Sequence, residues 1–378
     1  MANLADVVIN PIRVAHIMGK MASGGVEAVV MNYYRHIDRT KVQFDFIIDE
    51  DSTVVPYDEI ESMGGRVYKV PPYQKPAAYH SALVGLFRGN KYSIVHSHIN
   101  TLSIFPLFAA MRADVPVRIA HNHSTAGKGE TARNILKYIL RPFAKLFPTH
   151  YCACSKHVGR WLFGNKSLAK GRVTIINNAI DTSKFIFSKQ IRENVRKELN
   201  IENKFVVGHV GRFVKTKNHL FLVDIFDQIR VRNPDSTMLL VGEGELEQKT
   251  RDRVKELGLT EHIRFLGVRN DVHRLLMAMD VFLLPSLYEG LPVVGVEAQI
   301  SGLKTLVSDT TTREAEVLED GIEFMSLNQS TEEWAARAIS FRPVDREKIA
   351  EIAAVAGYDI GLAADKLCKY YMKLFDET

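Results

Sequence analysis

The chain has 378 residues, of which 46% are hydrophobic and 25% are charged, as is typical of a soluble globular protein. This length exceeds one typical hydrophobic core and suits two α/β domains. No apolar run approaches the ~20 residues that a membrane-spanning helix needs. Asp6 and Pro11 interrupt the amino-terminal stretch where a secretory signal needs a continuous apolar run. We therefore expect a cytoplasmic protein.

The net charge of +5 is unevenly distributed, because residues 1–185 carry +10 and the remaining residues carry −5. A basic first half favours an anionic partner or a membrane surface, with ordinary solvated charge as the alternative. We expect no nucleic-acid partner.

Three cysteines do not make a disulfide framework, and we expect them to be buried free thiols.

Short apolar runs alternate with helical patterns through the first half of the chain. The first helix is predicted at residues 26–37. The strands are predicted at residues 12–18, 44–48, 66–70, 93–96, 117–120 and 149–153. Such alternation predicts a mostly parallel sheet with helices on both faces.

The same alternation begins again after residue 190. Strands are predicted at residues 205–211, 237–241, 263–266, 281–284 and 305–308, and helices at 218–231, 246–257, 272–278 and 290–301. The predicted fold class is α/β, with two doubly wound Rossmann-like domains that face each other across a cleft. We assign residues 1–185 to the N-terminal domain, 186–360 to the C-terminal domain, and 361–378 to a final helix that packs back across them.

The strongest functional signal is a pair of glutamates, Glu289 and Glu297, on either side of a predicted helix start. Between them, Gly290, Leu291 and Pro292 place free backbone N–H groups where anions bind well. One carboxylate can accept hydrogen bonds from sugar hydroxyls, and the second can reach another polyol such as ribose. Two surface glutamates on an amphipathic helix are the alternative. The apolar neighbours of Glu297 argue against this alternative, because burying a charge that has no binding partner is costly in free energy.

A second signal follows the first strand of the C-terminal domain, where Gly211 lets the backbone turn. Arg212 and Lys217 come next and can converge on a diphosphate, arginine as a planar fork and lysine as a point charge. A basic loop that ends at the helix cap Asn218 is the alternative.

Weaker signals lie in the first domain. Gly25 permits close approach of a phosphate at a helix start. His96, His98, His121 and His123 lie at or just past the ends of two neighbouring strands. No carboxylate or cysteine lies near them in sequence, so we expect polar contact with a bound sugar and not a metal site.

Taken together and in order, these residues resemble the family 4 retaining glycosyltransferases of GT-B fold, and the resemblance covers nearly the whole chain. Where many members read Asn-Gly-Ile-Asp, this chain has Ala179 after Asn178. With that departure, residues 44–46 and 118–123 resemble the branch that builds bacterial exopolysaccharide and capsule repeat units.

The resemblance implies a role for each residue of the C-terminal domain. Arg212 and Lys217 would neutralise the leaving nucleoside diphosphate. Glu289 would hold sugar hydroxyls with help from the backbone of residues 290–292, and Glu297 would hold the ribose hydroxyls. In the N-terminal domain, the resemblance implies that Gly25 lies against the diphosphate and that His121 or His123 touches the donor sugar.

The implied reaction moves a sugar from a nucleotide donor, a uridine diphosphate sugar by family precedent, to a growing glycan or lipid-linked glycan. It would retain the anomeric configuration and need no metal or other cofactor. Two alternatives stay open: a non-catalytic glycan- or nucleotide-binding protein of this fold, and a sugar-nucleotide epimerase. The joint presence of Arg212, Lys217, Glu289 and Glu297 argues against the first, and the second would want a more elaborate set of acids.

Two further patterns are interpreted as ordinary structure. Asp49 and Asp51 match the Asp-x-Asp pattern with which another glycosyltransferase fold holds a metal, but we expect an exposed acidic loop. Gly242 and Gly244 partly match a dinucleotide fingerprint, but we expect a simple strand-to-helix turn.

Residues 127–148 mix basic and apolar side chains at helical spacing. We predict that the basic ones form a face for peripheral contact with an anionic membrane, at the inner face of the cytoplasmic membrane. These residues are Lys128, Arg133, Lys137, Arg141 and Lys145. A core-packed helix with a basic outer face is the alternative.

Overall fold

The structure is a computed structural model that describes residues 10–22, 25–125, 131–289, 291–341, 346 and 357–378. The chain divides into two compact units. Unit 1 consists mainly of the described residues up to Ile180 together with Asp359–Thr378, and unit 2 consists mainly of Asp181–Tyr358. The units therefore change between residues 180 and 181, where the sequence suggested 185 and 186, and the C-terminal segment belongs to unit 1.

Unit 1 contains a parallel seven-stranded sheet in the order β3-β2-β1-β4-β5-β6-β7. Its strands are β1 (Ile12–Gly19), β2 (Val42–Asp49), β3 (Arg66–Val70), β4 (Ile94–Ser97), β5 (Val117–Asn122), β6 (His150–Ala153) and β7 (Val173–Ile175). The central strands are buried on both faces, as crossover helices require. All carboxyl ends of these strands therefore lie at one edge of the sheet.

The helices of this part of the chain cover both faces of the sheet. They are α1 (Gly25–His36), α2 (Tyr57–Ser62), α3 (Pro76–Asn90), α4 (Ile104–Arg112), α5 (Thr131–Leu140), α6 (Lys156–Phe163) and α7 (Asn165–Ala169). One core cluster is built from the fully buried Ile17, Leu83, Phe87 and Leu107. Cys152, Cys154 and Cys368 are buried free thiols, as predicted.

Unit 2 repeats the arrangement with a parallel six-stranded sheet in the order β10-β9-β8-β11-β12-β13. Its strands are β8 (Phe205–Val210), β9 (Ser236–Val241), β10 (Ile263–Phe265), β11 (Val281–Leu284), β12 (Lys304–Ser308) and β13 (Ile322–Met325). The predicted strands of both halves appear within one or two residues of these bounds, but β7 and β13 were not predicted.

The helices of unit 2 are α8 (Thr182–Phe185), α9 (Lys189–Glu198), α10 (His219–Arg232), α11 (Glu247–Glu256), α12 (Val272–Ala278), α13 (Val293–Ile300) and α14 (Thr331–Ser340). Ser330 and Glu333 form a capping box that starts α14. Its Trp334 is fully buried in a cluster with Phe226 and Leu240, so this helix closes the core on one face of the sheet.

Asp280 is the polar anchor of unit 2, at the start of β11. Its carboxylate accepts from Arg192 Nη2 at 2.5 Å, from Arg196 Nη2 at 2.6 Å and from the backbone N–H of Val206 at 2.7 Å. Because Val206 lies at the start of β8, this single carboxylate ties α9 to two central strands. Breaking a partly buried, hydrogen-bonded ion pair leaves an uncompensated charge and is strongly destabilising.

The final helix, α15 (Ile360–Asp376), contacts α1 and β2 and so completes unit 1. Its Tyr371 is fully buried, and the Tyr371 hydroxyl lies 2.6 Å from His96 Nδ1. No helix within the described part of the chain has both the length and the apolar character to cross a bilayer.

Helix α5 and the turn after it correct the prediction of a basic outer face. Lys137 Nζ donates to the carbonyl oxygen of Thr125 at 3.4 Å, and the Arg141 guanidinium lies over the Trp161 ring at 5.2 Å. The exposed positions are instead largely apolar: Ile135, Leu136, Tyr138, Ile139, Phe143 and Leu146 are 37–64% exposed. Of the other predicted residues, Lys145 is exposed, and its Nζ donates to the carbonyl oxygen of Phe163 at 3.4 Å. Lys128 and the side chain of Arg133 lie outside the described residues.

We expect Tyr371→Ala to destabilise unit 1 by about 3–5 kcal/mol, because a fully buried aromatic ring leaves its core. Chemical denaturation followed by fluorescence gives the free energy of unfolding. Lys369→Ala is the matched control on the same helix, since its side chain is 73% exposed, and it should change that free energy by less than about 0.5 kcal/mol. Equal losses in the two variants would contradict a core role for α15.

Candidate functional site

The candidate site of unit 2 lies where its strand order reverses, between β8 and β11. In doubly wound sheets, ligands bind at this point, beside the carboxyl ends of the strands. The loop after β8 carries Arg212 and Lys217, and the loop after β11 carries Glu289. The strand topology therefore brings together residues that are more than seventy positions apart in sequence.

Lys217 and Glu289 form the centre of this site. Lys217 Nζ donates to Glu289 Oε1 at 2.6 Å, and Ser286 Oγ donates to the same oxygen at 2.9 Å. The two charged side chains are only 20% and 14% exposed. An ammonium has three donors, so Lys217 can keep Glu289 and still donate to a bound anion.

Backbone and amide hydrogen bonds hold the two loops together. The N–H of Leu287 donates to the carbonyl oxygen of Thr216 at 2.8 Å, and Asn218 Nδ2 donates to that of Pro285 at 3.2 Å. Asn218 has φ of 57°, in the left-handed region that asparagine tolerates. Asn218 therefore joins the loops as well as preceding α10, a role that the sequence analysis missed.

Arg212 is exposed at the carboxyl end of β8, and its guanidinium has no hydrogen-bond or ion-pair partner among the described residues. Gly211 precedes it, where a Cβ would lie 3.3 Å from Lys217 Cδ and 3.1 Å from His209 Nε2. The absence of a side chain at Gly211 thus lets the stem of Lys217 cross the loop.

Gly242 and Gly244 support this loop from β9 and do more than form an ordinary turn. A Cβ on Gly242 would lie 2.3 Å from the carbonyl oxygen of Gly211, and one on Gly244 would lie 2.7 Å from that of Phe213. The Phe213 N–H donates to the carbonyl oxygen of Glu243 at 3.0 Å. The two glycines therefore permit the close backbone contact that fixes the position of Arg212.

The start of α13 supplies the rest of the predicted set. Leu291 and Pro292 are buried, and Pro292 is the N-cap residue; Gly290 lies outside the described residues. Glu297 is half-buried in α13, and in the described part of the chain its carboxylate has no hydrogen-bond partner. Burial raises the pKa of Glu297 to about 7. A carboxyl group kept partly neutral in this way is ready to ionise when hydroxyl donors bind it.

Gln299 anchors the helix that carries Glu297 and was also missed. Its amide Nε2 donates to the carbonyl oxygen of Ala315 at 2.7 Å, and its Oε1 accepts from the N–H groups of Val317 and Leu318. The side chain is 1% exposed. A buried amide that satisfies three backbone groups fixes α13 against the segment after β12.

Unit 1 places polar side chains at the corresponding point of its own sheet, between β1 and β4. The histidine cluster defined here consists of five side chains that are 1–9% exposed: His16, His96, His98, His121 and His123. Sequence analysis missed His16, which lies in β1 directly beside His96 in the strand ladder. It also treated the other four as two separate pairs.

Hydrogen bonds join the histidine cluster into two chains. In the first, His98 Nε2 lies 2.9 Å from His16 Nδ1, and His98 Nδ1 lies 2.9 Å from His123 Nε2. In the second, His96 lies between Tyr371 and His121, with 3.1 Å from His96 Nε2 to His121 Nδ1. Three ring nitrogens are buried and without a hydrogen-bond partner among the described residues: His16 Nε2, His121 Nε2 and His123 Nδ1.

Burial determines the charge of this cluster. It lowers the pKa of His16 and of His123 to about 3. Burial, together with the neighbouring histidines, lowers the pKa of the other three well below the usual value. All five imidazoles are therefore neutral at pH 7, so each has one N–H donor and one lone pair.

Three other predicted positions lie near the carboxyl edge of the unit 1 sheet. Gly25 begins α1, and a Cβ there would meet nothing within 4 Å, so the space around it is open. Asp49, expected in an exposed loop, is 7% exposed at the end of β2, and burial raises its pKa to about 6. Asp51 is exposed as predicted and pairs with Lys20 at 2.7 Å.

A pocket of about 740 Å³ opens at the opposite edge of the unit 1 sheet, near the amino ends of β1 and β4. Arg13, Tyr92 and Phe375 are among its lining residues. Parallel sheets bind ligands at their carboxyl ends, so this concavity is separate from the candidate site.

Two family descriptions match adjacent parts of the chain. Residues 23–184 match Glycosyltransferase Family 4, and residues 191–346 match Glycosyl transferases group 1. The Bacillus subtilis protein EpsF, named as a glycosyltransferase, is 35% identical over 358 residues, which cover 92% of this chain and 93% of EpsF. The chain belongs to the family 4 glycosyltransferases.

Further likenesses agree with this family 4 assignment. The Escherichia coli UDP-Gal:alpha-D-GlcNAc-diphosphoundecaprenol alpha-1,3-galactosyltransferase is 28% identical over 311 residues, which cover 79% of each chain. The crystal structure of Anabaena HepE in complex with UDP-glucose matches with a TM-score of 0.75 at 20% identity, covering 97% of this chain and 100% of HepE. The predicted family and the predicted GT-B fold are confirmed.

We expect Gly242→Ala to destabilise this glycosyltransferase by about 1–3 kcal/mol, because the new Cβ overlaps the backbone of Gly211. Thermal and chemical unfolding measure the change. Gly85→Ala in α3 is the matched control, since its Cβ would meet nothing within 4 Å, and it should leave stability unchanged or slightly raised. A neutral Gly242→Ala would contradict the close contact between the two loops.

Proposed function

We propose that the protein transfers a sugar, with retention of configuration and without a metal, from a uridine diphosphate sugar to a lipid-linked precursor of an exopolysaccharide or capsule. The observation that carries the proposal is the arrangement at the reversal point of unit 2. There, Arg212, whose guanidinium has no partner among the described residues, lies on the same short loop as Lys217, and Lys217 donates to Glu289.

The charges of this arrangement match the needs of the donor. Cleavage of the sugar–phosphate bond builds negative charge on the diphosphate, and fixed cations aimed at it lower the barrier. Arg212 can bind two phosphate oxygens as a planar fork, while Lys217 donates to a third. The first-turn N–H groups of α13 add a positive helix end. Together they supply the neutralisation for which other transferases use a metal.

The sugar would be oriented by Glu289 at the end of the β11 loop. Lys217 and Ser286 already donate to its Oε1, which suits this carboxylate to accepting hydroxyls and not to attacking carbon. Retention then requires attack on the same face. The acceptor oxygen bonds to the anomeric carbon as the bond to the phosphate oxygen breaks, and the acceptor proton passes to that phosphate oxygen.

The relatives support the donor and acceptor classes. The Escherichia coli relative is named for UDP-Gal and for a diphosphoundecaprenol-linked sugar, and HepE binds UDP-glucose. In this chain, Glu297 would accept the ribose hydroxyls, and Gly25 leaves open space for a phosphate. Of the two histidines predicted to touch the sugar, His123 is 9% exposed and His121 only 3%, which favours His123.

We expect Arg212→Ala or Lys217→Ala to slow sugar transfer by about 100–1000-fold, as loss of one transition-state donor does, without unfolding unit 2. The assay is release of UDP from a panel of UDP-sugars with a lipid-pyrophosphate acceptor, with and without EDTA. Transfer should continue in EDTA, because the cations come from the protein.

Lys215→Ala is the matched control for both variants, since Lys215 is an exposed lysine of the same loop and should keep wild-type turnover. Full turnover in the Arg212→Ala/Lys217→Ala double variant would reject the diphosphate assignment. Activity lost in EDTA and restored by magnesium would reject metal independence. Binding of UDP-sugar without any turnover would assign a binding protein instead.

Glu297 predicts a pH dependence of donor binding. Its ionised carboxylate would accept hydrogen bonds from two ribose hydroxyls. The neutral acid, which forms below the pKa of about 7, carries a proton on one oxygen and so accepts from the ribose less well. The KM for the donor should therefore rise by up to about tenfold as the pH falls from 8 to 6. Glu297→Gln should raise this KM at high pH and flatten the profile. An unchanged profile in Glu297→Gln would remove Glu297 from the ribose site.

We also propose that α5 and the turn after it dock on an anionic bilayer through their apolar face. Tyr138, Ile139, Phe143 and Leu146 are 50–64% exposed, and a helix with such a face lies in the headgroup region of a membrane. The charge of +10 on residues 1–185 would attract the surrounding surface to anionic lipids. The occupant is therefore a membrane that also holds the lipid-linked acceptor.

We expect the protein to bind anionic vesicles more tightly than neutral ones, and Ile139→Asp/Phe143→Asp to abolish binding while donor hydrolysis continues. Vesicle co-sedimentation at low and high salt is the measurement. Val231→Asp in α10 is the control, because this 71% exposed valine lies on unit 2. Undiminished binding by the double variant would reject this face. A wild-type dimer that the double variant dissociates, seen by light scattering, would assign the face to self-association.

A further inference from the structure

The histidine cluster contains more donors than a sugar contact needs. Each chain of neutral imidazoles has one N–H and one lone pair per ring. The chain His16–His98–His123 forms two hydrogen bonds with three rings, so one N–H and one lone pair remain at its ends. Within the part of the chain that the structure describes, those ends are buried and have no hydrogen-bond partner, and the same holds for Nε2 of His121. A buried polar group that nothing satisfies is destabilising.

We propose that His98, His121 and His123 form a binding site for a borderline transition-metal ion, with zinc as the reference ion. One nitrogen of each of these three side chains lies within 4.8 Å of the other two. All three rings are buried on neighbouring strand ends of unit 1. This inference concerns unit 1 alone and does not rest on the proposed transfer reaction.

The distance between two of the ligands is close to what the ion needs, and all three nitrogens lie within 4.8 Å of one another. His98 Nδ1 and His123 Nε2 are 2.9 Å apart, as hydrogen-bonded nitrogens. Two imidazole nitrogens bound to tetrahedral zinc at 2.0–2.1 Å would lie about 3.3 Å apart. Rotation of the rings by a few tenths of an ångström, with loss of the shared proton, opens that space. His121 would contribute the unpartnered Nε2.

The remaining members of the cluster provide the outer hydrogen bonds that metal-bound histidines normally make. With His98 bound through Nδ1, its Nε2–H donates to His16 Nδ1. With His121 bound through Nε2, its Nδ1–H donates to His96 Nε2, and the Nδ1–H of His96 then donates to the Tyr371 oxygen. Every one of these contacts already exists at 2.6–3.1 Å.

A second triad, His16, His96 and His98, also has its nitrogens within 4.8 Å, but it fits less well. Both nitrogens of His96 and both of His98 are already hydrogen-bonded, so a metal there would break at least two contacts. The first triad loses only the contact that His98 and His123 share. We therefore assign His16 and His96 as positioning residues and not as ligands.

The donor set selects the kind of ion. Neutral imidazole nitrogens suit zinc, nickel, copper and iron, whereas magnesium, calcium and manganese prefer carboxylate and carbonyl oxygen. Three protein ligands leave a further position for water or another small ligand. Because His123 is also the predicted sugar contact, bound zinc would compete with the sugar, so its removal by EDTA would not lower transfer.

The experiment uses the full-length protein without a polyhistidine tag, stripped with chelator and titrated with zinc in competition with a chromophoric chelator. We expect one tightly bound zinc per chain by elemental analysis after desalting, and none for magnesium. Bound cobalt(II) should show the intense visible bands of a low-symmetry nitrogen site. A wild-type protein that retains no zinc, or binds cobalt with the spectrum of the hydrated ion, would overturn the proposal.

The variants distinguish ligands from positioning residues. His121→Gln and His123→Gln should lose stoichiometric zinc, whereas His16→Gln and His96→Gln should weaken affinity by about 10–100-fold. His219→Gln is the matched control, since His219 is a buried histidine of unit 2 whose two ring nitrogens have no hydrogen-bond partner among the described residues. This variant should bind zinc as tightly as the wild type. Circular dichroism checks folding. Equal zinc affinity in His219→Gln and the ligand variants would reject this ligand set.

Discussion

The reversal of strand order in each sheet is the constraint on which both candidate sites depend. The helices that follow the two strands at the reversal point lie on opposite faces of the sheet. The loops before these helices therefore border one crevice, and their side chains meet there. In unit 2 this brings Lys217 and Glu289 to 2.6 Å from each other. In unit 1 the same reversal sets His16 beside His96 in adjacent strands. The side chains of the two candidate sites differ, but both sites lie at the reversal point of their own sheet.

Much of this arrangement could be predicted from the sequence, because strand and helix patterns alternate clearly and the ligand edge of such sheets follows from topology. Arg212 and Lys217 were predicted on one loop and Glu289 on another, and the structure brings Lys217 and Glu289 into contact. Strands β7 and β13 escaped prediction because three or four residues carry too little periodicity. Their formation depends on pairing with a neighbouring strand, which is a tertiary effect.

Other features could not be read from local pattern. His16 lies within an apolar strand, and nothing in its neighbourhood shows that β1 will pair with β4. An amphipathic helix such as α5 has two faces, and sequence alone does not say which one meets the core. Tertiary structure turned Lys137 and Arg141 back towards the protein and left Ile139 exposed. The supporting roles of Gly242 and Gln299 likewise appear only once distant loops are in contact.

The return of α15 to unit 1 has a consequence for how the protein is made. Synthesis from the amino end produces the strands of unit 1 first, then unit 2, and only after unit 2 the helix whose Tyr371 covers Phe44 and His96. Domains that are continuous in sequence can finish folding during synthesis. Unit 1 cannot, so part of its apolar interior stays uncovered until α15 has been synthesised. A ribosome that stalls within unit 2 therefore releases a protein whose unit 1 is incomplete.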